Sequence, residues 1–369
     1  MEGLKEIIDS AASDGEARAD AHHAMVRSDV LLNYDALVRS LGGDAEAIMR
    51  TVGISSSLLA EPNAVIPFRA VAQLLERSAA VLDCDDFGLR LASIQGGAKV
   101  LGPLEVVMRN SQSLGAAYRY CADHVHAYSD ATRISLQQLP HGTMSFLRFD
   151  ILIPKLPYQR QAVEQAMLLA QEAAKMITSG RTRAREVWFL HEAALPASMY
   201  QKYFGTTVRF CQGKNGLVFE NGDLALPLQE RDPQLLEMAK FFIDARFPTY
   251  LPQFSVRVRN MIEQTLASGD CCNANVATQL GMHPRTMQRR LREEGSCFES
   301  IKEEVRRDSA LRYLTQTRMP LMRVAEMLGY SETSVLSRSC FRWFGASPRR
   351  VREQKGASPA LSDPAQVAA

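Results

Sequence analysis

One residue grammar occurs twice between Asn275 and Phe344: a short apolar helix, a glycine, a capping residue, then a polar helix. In the first copy Val276, Ala277 and Leu280 share one helical face and Gly281 closes it. His283 is placed to cap the next helix, with Pro284 at the first helical position, where its missing N–H costs nothing. Met287 and Leu291, four apart, then point inward, and Arg285, Gln288 and Arg289 share the outward face. The second copy runs from Met322 through Gly329 and a Ser331 cap into Glu332 to Phe344. There Leu336, Cys340, Trp343 and Phe344 form the inward stripe, and Thr333, Ser334, Ser337 and Arg338 the outward one.

Two such pairs predict two helix-turn-helix units. A short helix that presents Arg, Gln and Arg can set bidentate donors against base edges in a major groove. The second helices start 48 residues apart, at Pro284 and Glu332. Between them Phe298, Ile301, Val305, Ala310 and Leu314 keep helical spacing, which predicts one connecting helix. Its stiffness matters, because two reading helices must lie about 34 Å apart to enter successive major grooves.

Charge divides along the same line. Residues 251–356 hold 18 Lys and Arg, 16 of them Arg, against 11 Asp and Glu, a balance of +7 in a chain whose total is +2. The remainder is therefore −5. A basic module joined to a mildly acidic one fits a nucleic-acid reader with a separate regulatory part. Seven cysteines, an odd number without a CxxC pair, read as reduced thiols of a cytoplasmic protein. No apolar run approaches the ~18–20 residues of a membrane span, and Glu2, Lys5 and Glu6 do not resemble a secretory leader.

The run from Arg285 to Gly295 resembles the AraC/XylS family of transcriptional regulators, as does Val324 to Ser331 followed by Ser337-Arg338, Arg342 to Gly345 and Ser347-Pro348. The resemblance covers about 275–352. It implies double-stranded promoter or operator DNA as a partner, RNA polymerase as another, and a homodimer. By the same resemblance Arg285, Gln288 and Arg289 read bases in one groove, while Thr333, Ser334, Ser337 and Arg338 read bases or hold phosphates in the next. Arg342 joins the DNA-binding set through its motif. Arg290 and Arg292, beside the reading face, suit phosphates, which position a protein without carrying sequence information. Arg306, Arg307, Arg349 and Arg350 read equally as phosphate contacts or solvated charge, and Arg307 also as the partner of an internal carboxylate. Leu336 and Cys340 stand where the family usually has aromatic residues.

Upstream, the pattern is mixed. Helical spacing is expected over Val30 to Leu41, after a Pro67 start, through Asp86 to Ala92, through Met108, from Leu114 to about Val125, and over Tyr158 to Ile177. Thr132 to Leu139 and Thr143 to Ile151 read as a hairpin across Pro140-His141-Gly142. Short strands follow at Glu186 to Leu190, Val208 to Phe210 and Gly216 to Phe219, with a helix at Ala197 to Phe204. The fold class is thus α+β: helices against a small, mainly antiparallel sheet, then an all-α tandem helix-turn-helix domain. Leu74-Leu75-Glu76, Phe87 to Ala92, Leu101 to Leu104, Val187 to His191, Tyr203 to Gly205 and Asn215 to Phe219 resemble the arabinose-binding-like N-terminal effector domain of one AraC-family branch, to which ornithine-responsive regulators belong. This resemblance covers about 30–230. The expected division is a poorly ordered lead-in at 1–28, a sensing and dimerisation domain at 29–250, a DNA-binding domain at 251–355 and a disordered tail at 356–369.

Enzyme chemistry finds little support. His191-Glu192-Ala193-Ala194-Leu195 begins like a zinc-protease motif but has Leu195 where the second histidine must stand. His124 and His126, two apart, suit different helix faces, a poor metal geometry. The sequence contains no GxSxG, P-loop or GxGxxG and calls for no catalytic residue, metal or cofactor. For a small-molecule effector the candidates are Arg119, Tyr120, His124, Tyr128, Arg148 and His191, the polar and aromatic groups around the sheet. The alternative is a dimeric repressor or architectural protein with no effector.

Overall fold

The structure is a computed structural model and describes residues 24–59, 61, 64–139, 142–153, 156, 159–229, 231–247, 254–266 and 271–356. These fall into two compact units that divide near residue 250.

In the first unit Met25–Arg27 (β1) pairs antiparallel with Val65–Pro67 (β2). The expected lead-in therefore ends earlier than residue 28; residues 1–23, with the His22-His23 pair, lie outside the described residues. Asn33 adopts the left-handed region at φ 64°, which divides the expected Val30 to Leu41 helix into a 3-10 turn, Ser28–Leu31, and a helix, Tyr34–Ser40 (α1). Ala45–Arg50 (α2) starts at Asp44, whose carboxylate accepts from the Ala47 N–H at 3.0 Å. Pro67 closes β2 and so precedes Phe68–Val81 (α3), which it was expected to open. Phe87–Gln95 (α4), Pro103–Asn110 (α5) and Leu114–His124 (α6) follow, the last capped by Ser113.

Thr132–Gln138 (β3) and Met144–Ile151 (β4) form the hairpin. After Arg160–Ile177 (α7) come Glu186–Trp188 (β5), Ala197–Phe204 (α8), Thr207–Arg209 (β6), Asn215–Glu220 (β7), Asn221–Ala225 (α9) and Pro233–Arg246 (α10). The sheet order is β3-β4-β7-β5-β6. Only β5 and β6 run parallel, and α8 provides the crossover that parallel pairing needs.

Register sorts the side chains into two faces. Leu147 lies opposite Leu136 and Leu217, and Leu217 opposite Val187. These residues, with Phe149, Phe219 and Phe189, pack into one core with Val163, Met167 and Leu168 of α7. The other face carries Phe146, Arg148, Asp150 and Trp188. A second core joins α1, α3 and α4, where the buried Tyr34 and Ser78 hydroxyls bond at 2.8 Å.

The second unit is helical throughout its described residues: Phe254–Thr265 (α11), Asn273–Gln279 (α12), Pro284–Glu293 (α13), Phe298–Gln316 (α14), Leu321–Met327 (α15), Thr333–Phe344 (α16) and Pro348–Gly356 (α17). No described helix in either unit is long and apolar enough to cross a membrane.

One close approach fixes how α4 meets α7. A Cβ built on Gly88 would stand 2.3 Å from the Gln161 carbonyl oxygen, and the Gly88 N–H donates to Gln161 Oε1 at 2.6 Å. The obstacle is backbone, so a methyl group must push the helices apart. Gly88→Ala is expected to destabilise the first unit by about 1–3 kcal/mol, as overpacked cores do. Thermal unfolding should show a lower midpoint than that of Gly222→Ala, where a Cβ meets nothing within 4 Å.

Candidate nucleic-acid interface

The two helix pairs form as the repeat requires. Helix α12 ends at Gln279, and Gly281 takes φ 67°, a conformation open to glycine. His283 Nδ1 then accepts from the Arg285 N–H at 3.2 Å, and Pro284 opens α13. Met287 and Leu291 are fully buried, while Arg285, Gln288, Arg289, Arg290 and Arg292 are all exposed. In the second pair Gly329 has φ 68°, with the Leu266 carbonyl oxygen 2.6 Å from where its Cβ would be. The N-cap of α16 is Glu332 rather than the expected Ser331. No cap hydrogen bond forms there; Glu332 Oε2 instead accepts from the Ser334 hydroxyl at 2.8 Å. Leu336 and Cys340 are fully buried, Ser334 and Arg338 exposed, and Thr333 and Ser337 half-buried. Small Cys340 fills its core position without an aromatic ring.

Several arginines have prior engagements. Arg290 lies over the Phe254 ring at 5.5 Å, and Arg289 is 3.6 Å from Glu293. Arg342 pairs with Glu303 of α14, which also accepts from Trp343 Nε1 at 2.7 Å. Arg342 thus fastens α16 to α14. Arg306 stacks on Tyr330 at 4.5 Å and donates to the Leu328 carbonyl at 3.1 Å, so it braces the second turn. Arg307 lies 3.4 Å from Asp308, while Arg349 and Arg350 are exposed. Helix α14 packs on α11, α15, α16 and α17, and so supports the second pair directly, while α11 packs in turn on α12 and α13 of the first.

In the first unit the six ligand candidates do not form one site: Tyr120, His124 and Tyr128 gather near α10, and Arg148 and His191 lie elsewhere. Arg119 is exposed on α6. Tyr120 stacks on His124 at 3.9 Å, and His124 Nε2 lies 3.6 Å from Asp244 of α10. Tyr128 packs against the small core under α10. Arg148 donates twice to Asp150 Oδ1, at 3.0 and 2.8 Å, on the sheet face away from α7. His191 is elsewhere again, with its Nε2 3.7 Å from Glu164 Oε1. The stretch from His191 to Leu195 is not helical, and among the described residues no group of three or more His, Cys, Asp or Glu could hold a metal ion.

Glu164 was not among the candidates. It lies on the α7 stripe shared with Gln161, Leu168 and Gln171, and its side chain is 0% exposed. Oε1 accepts from the Tyr200 hydroxyl at 2.7 Å. Burial drives the carboxyl pKa up to about 7, opposed by the Tyr200 hydrogen bond and by Arg160. Burial also pushes His191 down to about 4, against the hydrogen bond of Nδ1 to the Glu192 carbonyl. The sequence signal was a carboxylate on an otherwise uncharged helical stripe.

A family model described as the arabinose-binding domain of AraC transcription regulator matches residues 42–228, and a helix-turn-helix domain model matches 276–354. The HTH-type transcriptional regulator VirS of Mycobacterium tuberculosis is 32% identical over 335 residues, 91% of this chain and 98% of its own length. The ornithine utilization regulator of Pseudomonas aeruginosa is 24% identical over 86% of this chain and 93% of its own. The solved structure of the transcriptional regulator CdpR from Pseudomonas aeruginosa aligns with a TM-score of 0.36 at 19% identity, over 72% of this chain and 86% of that one.

The raised Glu164 pKa has a definite sign in stability. The group is easier to protonate in the folded than in the unfolded chain, so its contribution is fully present below its ordinary pKa of 4.5 and is lost as pH rises through about 7. Glu164→Gln keeps the size and an acceptor for Tyr200 but carries no charge. Between pH 5 and 8 the melting midpoint of the wild type should fall relative to that of Glu164→Gln, by roughly several degrees. A constant difference between the two across that range would contradict the assignment.

Proposed function

The chain belongs to the AraC family of transcription regulators, and from that premise we propose how its DNA-binding residues divide their work. It is a DNA-binding transcription regulator with a helix-turn-helix reader and an N-terminal ligand-binding domain of the family's type. Arg285, Gln288 and Arg289 of α13 enter one major groove and read base edges. Arg338, Ser337, Ser334 and Thr333 of α16 take the next. Arg290, Arg292 and Arg342 hold phosphates.

The observation that supports this reading is the exposed Arg285–Gln288–Arg289 face on a helix whose other side is fixed by fully buried Met287 and Leu291. Helix α14, at 19 residues, is ~28 Å long, comparable with the ~34 Å between successive turns of a groove. An effector then acts by favouring the conformer whose two readers fit the promoter. The ornithine utilization regulator is a relative by name, and small metabolites are the class to screen first. The chain works in the cytoplasm, with RNA polymerase as its downstream partner, and as a homodimer. Support for the last comes from Leu235, Met238, Phe241 and Phe242, which leave an exposed apolar face on α10, with Phe241 76% exposed.

Arg289→Ala should lower discrimination at one base pair by ~1–3 kcal/mol while leaving random-sequence affinity nearly intact. Arg292→Ala should weaken all sequences alike and reduce the slope of log affinity against log salt by about one. Binding titrations on operator and scrambled duplexes across salt concentrations separate the two. Equal loss on both duplexes for Arg289→Ala would refute its role as a base reader. On the dimer, Met238→Asp with Phe241→Asp should give a monomer in sedimentation experiments, and an unchanged mass would place the interface elsewhere.

A further inference from the structure

Four aromatic rings cluster beside Glu164, and two of them, Tyr200 and His191, reach its carboxylate. Phe189 lies 4.8 Å from His191 and 5.6 Å from Phe210, and Phe210 lies 4.7 Å from Tyr200 between centroids. They come from the end of β5, from α8 and from the segment between β6 and β7, three elements that meet only in the folded sheet. Two buried polar atoms among them have no hydrogen-bond partner among the described residues: Glu164 Oε2 and His191 Nε2. Such groups are costly unless something bonds them. The His191 tautomer is set by its other nitrogen, because the Glu192 carbonyl at 2.8 Å can only accept, so Nδ1 carries the proton and Nε2 presents a lone pair. Nε2 and Glu164 Oε1 are 3.7 Å apart, too far to bond each other and near enough for one donor atom to bond both.

The surrounding charge is acidic. Glu76, Asp86 and Arg160 are the charged groups that act on Glu164. Arg160 Nη1 is 3.7 Å from Glu164 Oε2, yet it also donates to the Asp85 carbonyl at 2.8 Å. Asp86 binds Arg90 at 2.8 Å and Tyr203 at 2.6 Å. Carboxylates therefore outnumber guanidinium groups in this corner, with Glu76, Asp85, Asp86 and Glu164 set against Arg90 and Arg160. Bare acceptors, a carboxylate and aromatic faces together favour a cation that donates hydrogen bonds.

We propose that Glu164, His191 and Tyr200, walled by Phe189 and Phe210, bind the protonated amine of a small aliphatic effector. The proposal rests on the effector-responsive reading above and deepens it. The ammonium donates to His191 Nε2 and to the Glu164 carboxylate, and the rings cover its methylene groups. His191, whose side chain is 20% exposed, forms the entrance, whereas Glu164 is the floor. Binding also holds Glu164 ionised, so affinity rises as pH climbs from 6 to 8.

The test is thermal unfolding of the full chain with n-butylamine, 1,4-diaminobutane, n-butanol and butyrate at equal millimolar concentrations. The two amines should raise the midpoint in a concentration-dependent way, and the alcohol and carboxylate should not. In Glu164→Gln and His191→Gln, each checked for native circular dichroism, the concentration needed for a given shift should rise about tenfold or more. Equal shifts in wild type and both variants would overturn the proposal. So would an alcohol or carboxylate response as large as the amine response, or no amine response at all, the result expected if an ordered water bridges the two acceptors. An effector of another class, whose influence on operator affinity survives Glu164→Gln, would remove this site and leave the regulator effector-responsive.

Discussion

The amides buried along α7 hold the first unit together. Gln165 donates to the Val30 carbonyl and to Gln95 Oε1, each at 2.9 Å, and Gln95 donates on to Val30 and Leu32. Gln161 receives the Gly88 N–H and donates to the Asp85 carbonyl at 2.7 Å. Gln171 receives the Ala184 N–H at 2.9 Å and donates to the Phe204 carbonyl at 3.1 Å. Loops cannot enter a core unless their backbone groups find partners. One helix supplies those partners with side chains long enough to reach, and packs its apolar residues on the sheet with the rest of its surface. Removing Gln161 or Gln171 would take the side-chain acceptor from the buried Gly88 or Ala184 N–H, the expensive half of a broken hydrogen bond.

Glu164 belongs to this row but departs from its logic. Gln161 and Gln171 have both ends bonded, whereas Glu164 has one oxygen bonded to Tyr200 and the other 3.7 Å from Arg160. A structural role alone would be better served by an amide, which carries no desolvation cost. Strained or imperfectly satisfied groups concentrate where a protein binds or switches. Here the group lies where α7, α8 and the end of β5 meet, so an occupant that satisfies it also tightens the joint between helix and sheet.

The second unit solves a different problem. Its helices are short and would be marginal alone, since an isolated helix under ~12–15 residues is poorly stable in water. Helix α14 offsets this by giving α11, α15, α16 and α17 a common wall. Polar clamps set their orientation: Glu303 holds Trp343 and Arg342, Arg306 lies across Tyr330, and Arg259 ties α11 to Glu304 at 3.0 Å and Asp308 at 2.5 Å. The exposed Arg285, Gln288 and Arg289 stay clear of that network apart from the pairing of Arg289 with Glu293. Arginines that clamp and arginines that face solvent differ only in which face of the helix they occupy.

That difference marks how much could be read from residue order. The paired helix-turn-helix units, the connecting helix, the hairpin and the outward polar face of α13 followed from local rules: a 3.6-residue period, glycine at positive φ, proline at a first helical position. Those rules act within a few residues, so sequence carries them. The α+β class and the family resemblance were likewise legible. The strand Met25–Arg27 was not, because its partner lies forty residues on and three-residue strands show no usable period. Nor was the grouping of Glu164 with His191 and Tyr200, or the separation of Arg148 from His191. Contacts of that kind depend on how a sheet of order β3-β4-β7-β5-β6 turns its faces and on which helix covers one of them. The sequence by itself determined most of the helix and strand segments and which side chains α13 exposes. Only the tertiary structure decided which polar groups end up buried together, because burial is a property of packed surfaces and not of neighbours along the chain.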